Sequence, residues 1–436
     1  MECADLILDS ERRLRLNVAH PAVRYLLITL LLTLSAGYIF VAASFWIASR
    51  YAARGDLEGL QMAARLRPGN SEYQYQLGQH FLVAQPSPQA AITHFLDAVK
   101  LNPDHARSWF GMAEVYQVLG DAERQRLALE KATAADPTTP EFSWQAANLY
   151  AANGDTSNAL RKLKDVMRYD PGLMSAAVRL AWRIMPDMDL LLRDAVPVSA
   201  QVYANFVEFL ISQKQSDALA KLWRQMVLAG LPVEKRYVFE YTQFLILNHQ
   251  PIEAASAWAQ ASSLSQLQSY QPTPSNLVVN GDFSSDVLNG GFDWLCQQSK
   301  NVQFALDPTQ SHRGHRSLLV SFDSRGLSES GLRQFIAVAP DTSYDFSAYF
   351  KTEDLRGAGG PQFAIQDAYS SDLYLSTADL TEVDYWKQVS GSFTTGPSTQ
   401  LLVLHLQRSP GGSPIRGKLW IDDIRLSPSS GARNTP

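Results

Sequence analysis

The sequence predicts a multidomain α + β protein with a single transmembrane helix, an α-helical solenoid and an antiparallel β-sandwich. Three observations support this fold class. The segment Tyr25–Ala48 contains 24 residues without a charge. Prolines and glycines then recur at a spacing of 34 residues. Beyond residue 275, apolar residues alternate with period two, which is typical of strands, instead of the helical period of about 3.6.

The uncharged segment Tyr25–Ala48 predicts a membrane-spanning helix. At about 1.5 Å per residue it would be about 36 Å long, enough to cross a hydrocarbon core of about 30 Å. The alternatives are a cleaved signal peptide or a buried soluble helix, but the apolar run continues to Ile47, past the small residues after Val41 where cleavage would occur. We predict an uncleaved single-pass anchor over 25–49, preceded by a short cytoplasmic tail over 1–24.

The overall composition argues against several classes of function. Charged residues make up 19% of the chain and the formal net charge is −5, without a run of like charges, so nothing indicates a nucleic-acid partner. The two cysteines, Cys3 and Cys296, lie on opposite sides of the predicted membrane helix and cannot pair. The sequence therefore offers neither a disulfide framework nor a cysteine metal site.

The region 50–269 is rich in Ala, Leu, Gln and Arg and contains a fixed repeat. Three sets of positions share the 34-residue spacing, namely Pro103, Pro137 and Pro171; Gly120 and Gly154; and Tyr116 and Tyr150. This period belongs to helix-turn-helix units, which stack because one unit cannot bury its apolar face alone. Each proline ends the second helix of a unit, and each glycine lies where the chain reverses. We predict a helical solenoid over 50–269, best defined over 72–171.

The repeated positions resemble the pattern of the tetratricopeptide repeat family. In the two clearest units the matching residues are Trp109, Ala113, Tyr116, Gly120, Ala132, Pro137, Ala146, Ala147, Tyr150, Gly154, Ala159, Val166 and Pro171. The match is close over three units and degrades after Pro171, where Arg183–Pro186 interrupts the next helical pair.

The family resemblance implies a scaffold that holds partner proteins in a concave groove. The residues that it places in the groove are Arg107, Phe110, Glu114, Gln117, Glu141, Trp144 and Asn148. The alternative for Phe110 and Trp144 is packing between neighbouring helices, because aromatic residues at helical spacing usually belong to the core. Neither sign of charge dominates this set, so the sequence does not identify the partner.

The C-terminal region predicts an antiparallel β-sandwich. Residues 270–275 contain two prolines and no helical period, so we interpret them as a linker. Beyond them about nine short alternating runs, such as Tyr344–Lys351, are separated by Gly, Pro, Ser and Asp turns. We predict a sandwich over 276–428 and a disordered tail over 429–436.

The two ends of this sandwich carry a second resemblance. It opens with Asn276–Phe283 and closes with Leu419–Leu426, with Gly314–Leu318 and Trp386–Phe393 between them. This ordered set is similar to the galactose-binding-like jelly-roll carbohydrate-binding modules appended to bacterial cellulases and xylanases. The resemblance implies a jelly roll that binds a polysaccharide, expected to be β-linked, although the same sandwich also serves as a spacer.

In that family a buried calcium ion often ties the first strand to the last. Carried over, the resemblance makes Asp422 the anionic ligand, with backbone oxygens near Gly314 and the side chain of Ser284 completing the site. The family's usual acidic residue is replaced here by Ser284, a weaker ligand. The alternative is that Asp422 and Asp423 cap a turn.

Alternation along the strands suggests a sugar-binding face. If the core contains Phe346, Phe363 and Leu404, then Tyr349, Gln366, His405 and Gln407 share the opposite face. Aromatic rings stack on the C–H faces of sugars, and amide and imidazole groups bind hydroxyls. Further aromatic residues that could rim a cleft are Trp294, Tyr369 and Tyr374. Trp386 is predicted to fill the core.

The sequence contains no phosphate-binding Gly-rich Lys motif, no HExxH, no Gly-x-Ser-x-Gly and no CxxC. The first hypothesis is therefore a non-catalytic scaffold in the bacterial inner membrane, with its body in the periplasm, that binds partner proteins and a polysaccharide during envelope or exopolysaccharide assembly or export. The periplasmic orientation rests on the jelly roll, because the positive charges flanking the helix tie. The alternatives are a glycoside hydrolase or its accessory, and a purely structural protein-interaction scaffold.

Overall fold

The computed structural model describes residues 21–429. The expectations for residues 1–20, including Cys3, and for 430–436 lie outside the described residues. Contacts divide the chain into two compact units, the first ending at Leu173 and the second beginning at Met174. The predicted fold class is confirmed, because helices occupy the first part of the chain and two antiparallel sheets occupy the last part.

Helix α1 (Pro21–Ala52) contains the predicted membrane span and is long and apolar enough to cross a membrane, although a signal sequence has the same properties. The last turns of α1 pack against the helices that follow it. Ala48 is fully buried against Ala63 and Tyr73. The guanidinium of Arg67 lies 3.4 Å from the ring centroid of Phe45. The end of α1 therefore pairs with the next helix.

The rest of the first unit is a series of antiparallel helical pairs. Its helices are α2 (Leu57–Leu66), α3 (Ser71–Gln79, continued by a π-helical turn over His80–Ala84), α4 (Pro88–Leu101), α5 (Ala106–Leu119), α6 (Ala122–Ala135), α7 (Pro140–Ala152) and α8 (Thr156–Tyr169). Gly120 and Gly154 follow α5 and α7 with φ of 73° and 75°, the left-handed conformation that ends a helix. Ala113 and Ala147 are fully buried where helices meet. The repeated glycines thus end helices and the repeated alanines pack between them, as the 34-residue spacing predicted.

The described part of the second unit, residues 174–429, begins with six helices and continues into the sandwich. The helices are α9 (Met174–Ile184), α10 (Met188–Asp194), α11 (Ala200–Ser212), α12 (Ser216–Leu228), α13 (Lys235–Leu247) and α14 (Pro251–Gln260). The break between α9 and α10 coincides with the interruption at Arg183–Pro186. Asp187 then caps α10 by accepting from the backbone N–H groups of Asp189 and Leu190.

Within residues 21–429, ten strands form two five-stranded antiparallel sheets. They are β1 (Leu295–Cys296), β2 (Val302–Asp307), β3 (Ser317–Gly326), β4 (Glu329–Ala337), β5 (Ser343–Gly357), β6 (Pro361–Asp367), β7 (Leu373–Ser376), β8 (Lys387–Thr394), β9 (Leu401–Arg408) and β10 (Pro414–Pro428). The first sheet has the order β1-β4-β9-β6-β7 and the second β2-β3-β10-β5-β8. Phe346 and Phe363 meet edge-to-face at 5.5 Å in the core between the sheets.

Helix α14 packs directly on the sandwich. The indole N–H of Trp258 donates to the carbonyl of Tyr270 at 2.8 Å, and the hydroxyl of Tyr270 donates to the carbonyl of Asp286 at 2.8 Å. A Cβ atom on Gly291 would overlap the Trp258 ring, and Phe292 meets the same ring edge-to-face. Residues 270–275 therefore connect two parts of one compact unit instead of separating them.

Candidate functional site

Gln366, His405 and Gln407 lie together on the outward face of the first sheet. Strands β6 and β9 are neighbours, and His405 is opposite Ala364 while Gln407 is opposite Gln362. The amides of Gln366 and Gln407 are half-buried and make no hydrogen bond within residues 21–429. At about 3.4 Å per residue, the four-residue offset puts the two amides about 14 Å apart along the strands. Both can therefore bind one extended ligand.

His405 has a different environment from the two glutamines. It is only 8% exposed, and its Nδ1 lies 3.0 Å from the Glu329 carboxylate. Its Nε2 is buried without a partner in the part of the chain that the structure describes. The imidazole is thus too buried to meet a ligand in this structure, and its polar contact is with Glu329.

One end of this face is covered. Helix α14 contacts β4, and Leu401 at the start of β9 is fully buried. Tyr369 was expected to rim a sugar cleft, but its hydroxyl donates to the carbonyl of Ile246 at 2.9 Å and its ring stacks on His249 at 4.3 Å. Tyr369 is therefore part of the contact between the helices and the sandwich, which sequence periodicity could not reveal.

Tyr349 does not share the face of the other three residues, and that grouping was wrong. Strand β5, which carries Tyr349, belongs to the second sheet, so its side chain points out of the opposite side of the sandwich. One ring face is already occupied by His312, whose imidazole lies parallel at 3.6 Å with an interplanar angle of 11°. The alternation along each strand was correct, but two strands with the same pattern joined different sheets.

The remaining predicted aromatic residues have structural partners. Trp294 is fully buried and donates to the carbonyl of Asn280 at 3.2 Å, so it fills the core instead of rimming a cleft. The Tyr374 hydroxyl bonds to Thr399 at 2.6 Å and holds the loop that follows β8. Conversely, Trp386 was predicted to fill the core but is half-buried and meets His312 edge-on at 6.0 Å.

The residues proposed for calcium lie near one another, but their oxygens already have donors. The carboxylate of Asp422 is fully buried, which raises its pKa, and it accepts from the backbone N–H groups of His312 at 2.6 Å, Arg313 at 2.8 Å and Asp423 at 2.7 Å. A cation needs oxygen ligands at this position, whereas these three donors point positive hydrogens at it.

A positively charged side chain already binds the segment that was expected to contribute Ser284. Arg316 donates from Nε to the carbonyl of Phe283 at 2.8 Å and from Nη2 to that of Ser284 at 3.3 Å, and pairs with Asp286 at 2.8 Å. Gly314 passes close to the hydroxyl of Ser284, so little room is left between the two segments. The residues of this chain therefore do not fit a bound calcium ion.

A second candidate site is a groove of about 650 Å³ in the first unit, formed by α3, α5 and α7. Four of the predicted groove residues line it, namely Arg107, Phe110, Glu114 and Glu141, whereas Gln117, Trp144 and Asn148 are not part of the lining that the structure describes. Phe110 is 3% exposed and its ring lies 5.1 Å from that of Phe142. It therefore packs between helices, as the alternative held, while bordering the groove.

The electrostatics of this groove include residues that the sequence did not single out. Glu72 accepts a hydrogen bond from His105 at 3.3 Å, which lowers the pKa of its carboxyl. Burial raises the pKa of Glu114. Tyr75 lies beside them. Glu72 and Tyr75 belong to the first helical repeat, which is less regular than the next two. Inserted residues near Pro86 and Pro88 interrupt its 34-residue spacing.

Comparison with known proteins supports both predicted modules. A model of the family "Carbohydrate binding domain" matches residues 275–411. Tetratricopeptide repeat protein 37 of Xenopus laevis is 28% identical over 176 residues, which are 39% of this chain and 10% of that protein. The chain therefore spans about a tenth of the length of this curated relative.

Solved structures with similar parts include one described as "CBM4 structure and function", which has 15% identity and a TM-score of 0.27 over 35% of this chain and 99% of that chain. MamA has 17% identity and a TM-score of 0.30 over 39% of this chain and 96% of that chain. The C-terminal sandwich thus matches a carbohydrate-binding family over residues 275–411, and the helical part of the chain is similar to a tetratricopeptide repeat protein.

Proposed function

We propose that this protein is a non-catalytic membrane-anchored scaffold that binds a polysaccharide through its sandwich and partner proteins through its helical groove. The match of residues 275–411 to the carbohydrate-binding family carries this proposal. Assembly or export of an envelope or secreted polysaccharide is the setting that combines the two kinds of binding with an anchor.

The polysaccharide surface that we propose is the outward face of the first sheet around Gln366 and Gln407. An amide without a protein partner can donate to one sugar hydroxyl and accept from another. The Gln407 end of this face is the more open one, because Gln407 is half-buried whereas Leu401 is fully buried and helix α14 contacts β4. A β-linked chain would therefore lie across β6 and β9 and enter from the open end.

The test measures binding of the full chain, in a detergent without a sugar head group, to a panel of β-linked glucan, xylan and galactan. Gln366→Ala and Gln407→Ala should each weaken binding roughly 2- to 13-fold, the effect of losing one neutral hydrogen bond worth about 0.5–1.5 kcal/mol. Gln303→Ala is the matched control, because Gln303 is exposed on β2 of the other sheet.

Binding that is equal in all three variants would refute this surface, and a wild-type chain that binds none of the panel would favour the structural-scaffold alternative. Release of reducing sugar from any bound polymer would favour the hydrolase alternative.

The protein-binding part of the proposal rests on the groove of the first unit. Glu114 and Arg107 face it with Phe110 beneath, which offers charge pairing and apolar contact to an extended segment. A photo-crosslinking amino acid at the position of Glu114 should capture a partner in cells. The same group at Glu130, which pairs with Arg126 outside the groove, should not. Equal capture at both positions would contradict a groove-specific partner.

The anchor is proposed from the exposed surface of α1. Apart from the half-buried Leu27, the large apolar side chains from Tyr25 to Ile47 are 39% or more exposed, and Arg24 and Arg50 flank them. A lipid environment could cover this surface without leaving backbone polar groups unsatisfied, because a helix pairs them internally. We propose the bacterial inner membrane, with the repeats and the sandwich in the periplasm.

A further inference from the structure

We propose that the outward face of the second sheet carries a separate binding surface for polysaccharides that contain uronic acids. The surface, which we call the aromatic–cationic patch, consists of His312, Tyr349, Lys351 and Trp386. The inference rests on the proposed function, because it assigns a second ligand class to the same carbohydrate-binding type of domain.

The aromatic part of the patch is held in place by contacts among its own rings. The imidazole of His312 stacks on Tyr349 at 3.6 Å, and the indole of Trp386 meets that imidazole at 6.0 Å and 61°. The His312 side chain remains 30% exposed, and Tyr385 beside Trp386 is 62% exposed. Rings that are already fixed lose little side-chain freedom on binding and offer carbon surface to the C–H face of a sugar.

The charged part of the patch is a cation without a carboxylate partner. The ammonium of Lys351 donates to the amide oxygen of Gln310 at 3.0 Å and forms no ion pair within residues 21–429. Arg313 is 60% exposed and only 4.0 Å from Asp423, whose carboxylate is bound more closely by Arg425 at 2.8 Å. Lys351 is therefore the unpaired cation beside the rings among the described residues, because Arg313 and His312, whose Nδ1 lies 3.6 Å from the same carboxylate, both face Asp423.

Acidic groups near the patch do not neutralise Lys351. Glu382 and Asp384 precede Tyr385 in the chain, are exposed, and form no ion pair with Lys351 in the part of the chain that the structure describes. Asp422, opposite Tyr349 in the sheet, is buried and bound by backbone N–H groups. A uronic acid combines a ring that stacks with a carboxylate that pairs with a fixed cation through a charge-assisted hydrogen bond.

The two outward faces of the sandwich can be tested separately. A core about 10 Å thick lies between the sheets, so a side chain on one outward face does not touch a ligand on the other. Variants of the aromatic–cationic patch should therefore leave binding at Gln366 and Gln407 unchanged.

The experiment measures binding of the full chain to polygalacturonate and to its methyl ester, which has the same backbone without the charge. Wild-type protein should bind polygalacturonate at least about tenfold more tightly than the ester, because the ester cannot pair with Lys351. Lys351→Met, which keeps the aliphatic stem, should remove most of this difference. Trp386→Ala should weaken binding of both polymers about tenfold. Lys300→Met is the matched control, because Lys300 is an exposed lysine of the sandwich outside the patch.

Three results would overturn the inference. The first is absence of polygalacturonate binding while neutral polymers still bind through Gln366 and Gln407, which would leave the proposed function intact. The second is equal affinity for the acid and its ester. The third is a loss on Lys300→Met as large as that on Lys351→Met, which would reduce the effect to general charge attraction.

Discussion

The packing of α14 on the sandwich leads to a prediction about cooperativity. Gly291 has a φ of 61°, and a Cβ atom there would overlap the Trp258 ring, so Gly291→Ala introduces both backbone strain and overpacking. Overpacking a dense contact costs about 1–3 kcal/mol, and a left-handed alanine costs about 1–2 kcal/mol. The overpacking cost should lower the free energy needed to open α14, because the ring of Trp258 on that helix must move to make room for the new Cβ atom.

Gly412→Ala is the matched control for this change. Gly412 also has a positive φ, 86°, but a Cβ atom there meets nothing within 4 Å. Hydrogen exchange followed by mass spectrometry measures the opening of α14 directly. Amides of α14 should exchange roughly 5- to 160-fold faster in Gly291→Ala, which corresponds to about 1–3 kcal/mol, and at the wild-type rate in Gly412→Ala. Unchanged α14 exchange in Gly291→Ala would show that the helices and the sandwich open independently.

Four further predictions concern stability, protonation, calcium and topology. Ala147→Leu should lower the free energy of unfolding by about 1–3 kcal/mol, because Ala147 is fully buried between helices. Urea unfolding followed by circular dichroism measures this loss. An equal loss in Ala134→Leu, at an exposed position, would contradict the prediction. Burial raises the pKa of Asp293 to about 6, so the folded state holds this proton more tightly than the unfolded chain, and stability present below about pH 4 should fall as the pH rises through about 6; the Tm of Asp293→Asn should lack that fall. Chelator should leave the Tm unchanged because Arg316 binds the carbonyls of Phe283 and Ser284, and a drop of several degrees that Asp422→Ala abolishes would restore the calcium hypothesis. Finally, burial raises the pKa of Cys296 to about 12, so this thiol should react slowly with a maleimide. A membrane-impermeant maleimide should instead label a cysteine introduced by Ser398→Cys, at an exposed position, in intact spheroplasts. Labelling only after lysis would contradict the periplasmic orientation.

The sequence alone was sufficient for the features that depend on local periodicity. The 34-residue spacing of Gly120, Gly154 and the prolines specified the helical pairs, because turns and helix ends are determined by nearby residues. Alternation specified which side chains of β5, β6 and β9 point into the core, since successive residues of a strand face opposite sides. The groove residues came from the family resemblance and not from the spacing, and Arg107, Phe110, Glu114 and Glu141 of that set line the groove.

Only the tertiary structure decided which strands are neighbours and which loops reach them. Tyr349 and Gln407 have the same pattern along their strands, but β5 pairs with β10 and β8 while β9 pairs with β4 and β6, so they point out of opposite faces. His312 and Arg316 act from a loop, and the contact of Arg316 with Phe283 joins residues 33 positions apart. Pairing at such separations depends on the packing of the whole core, for which a local pattern contains no information.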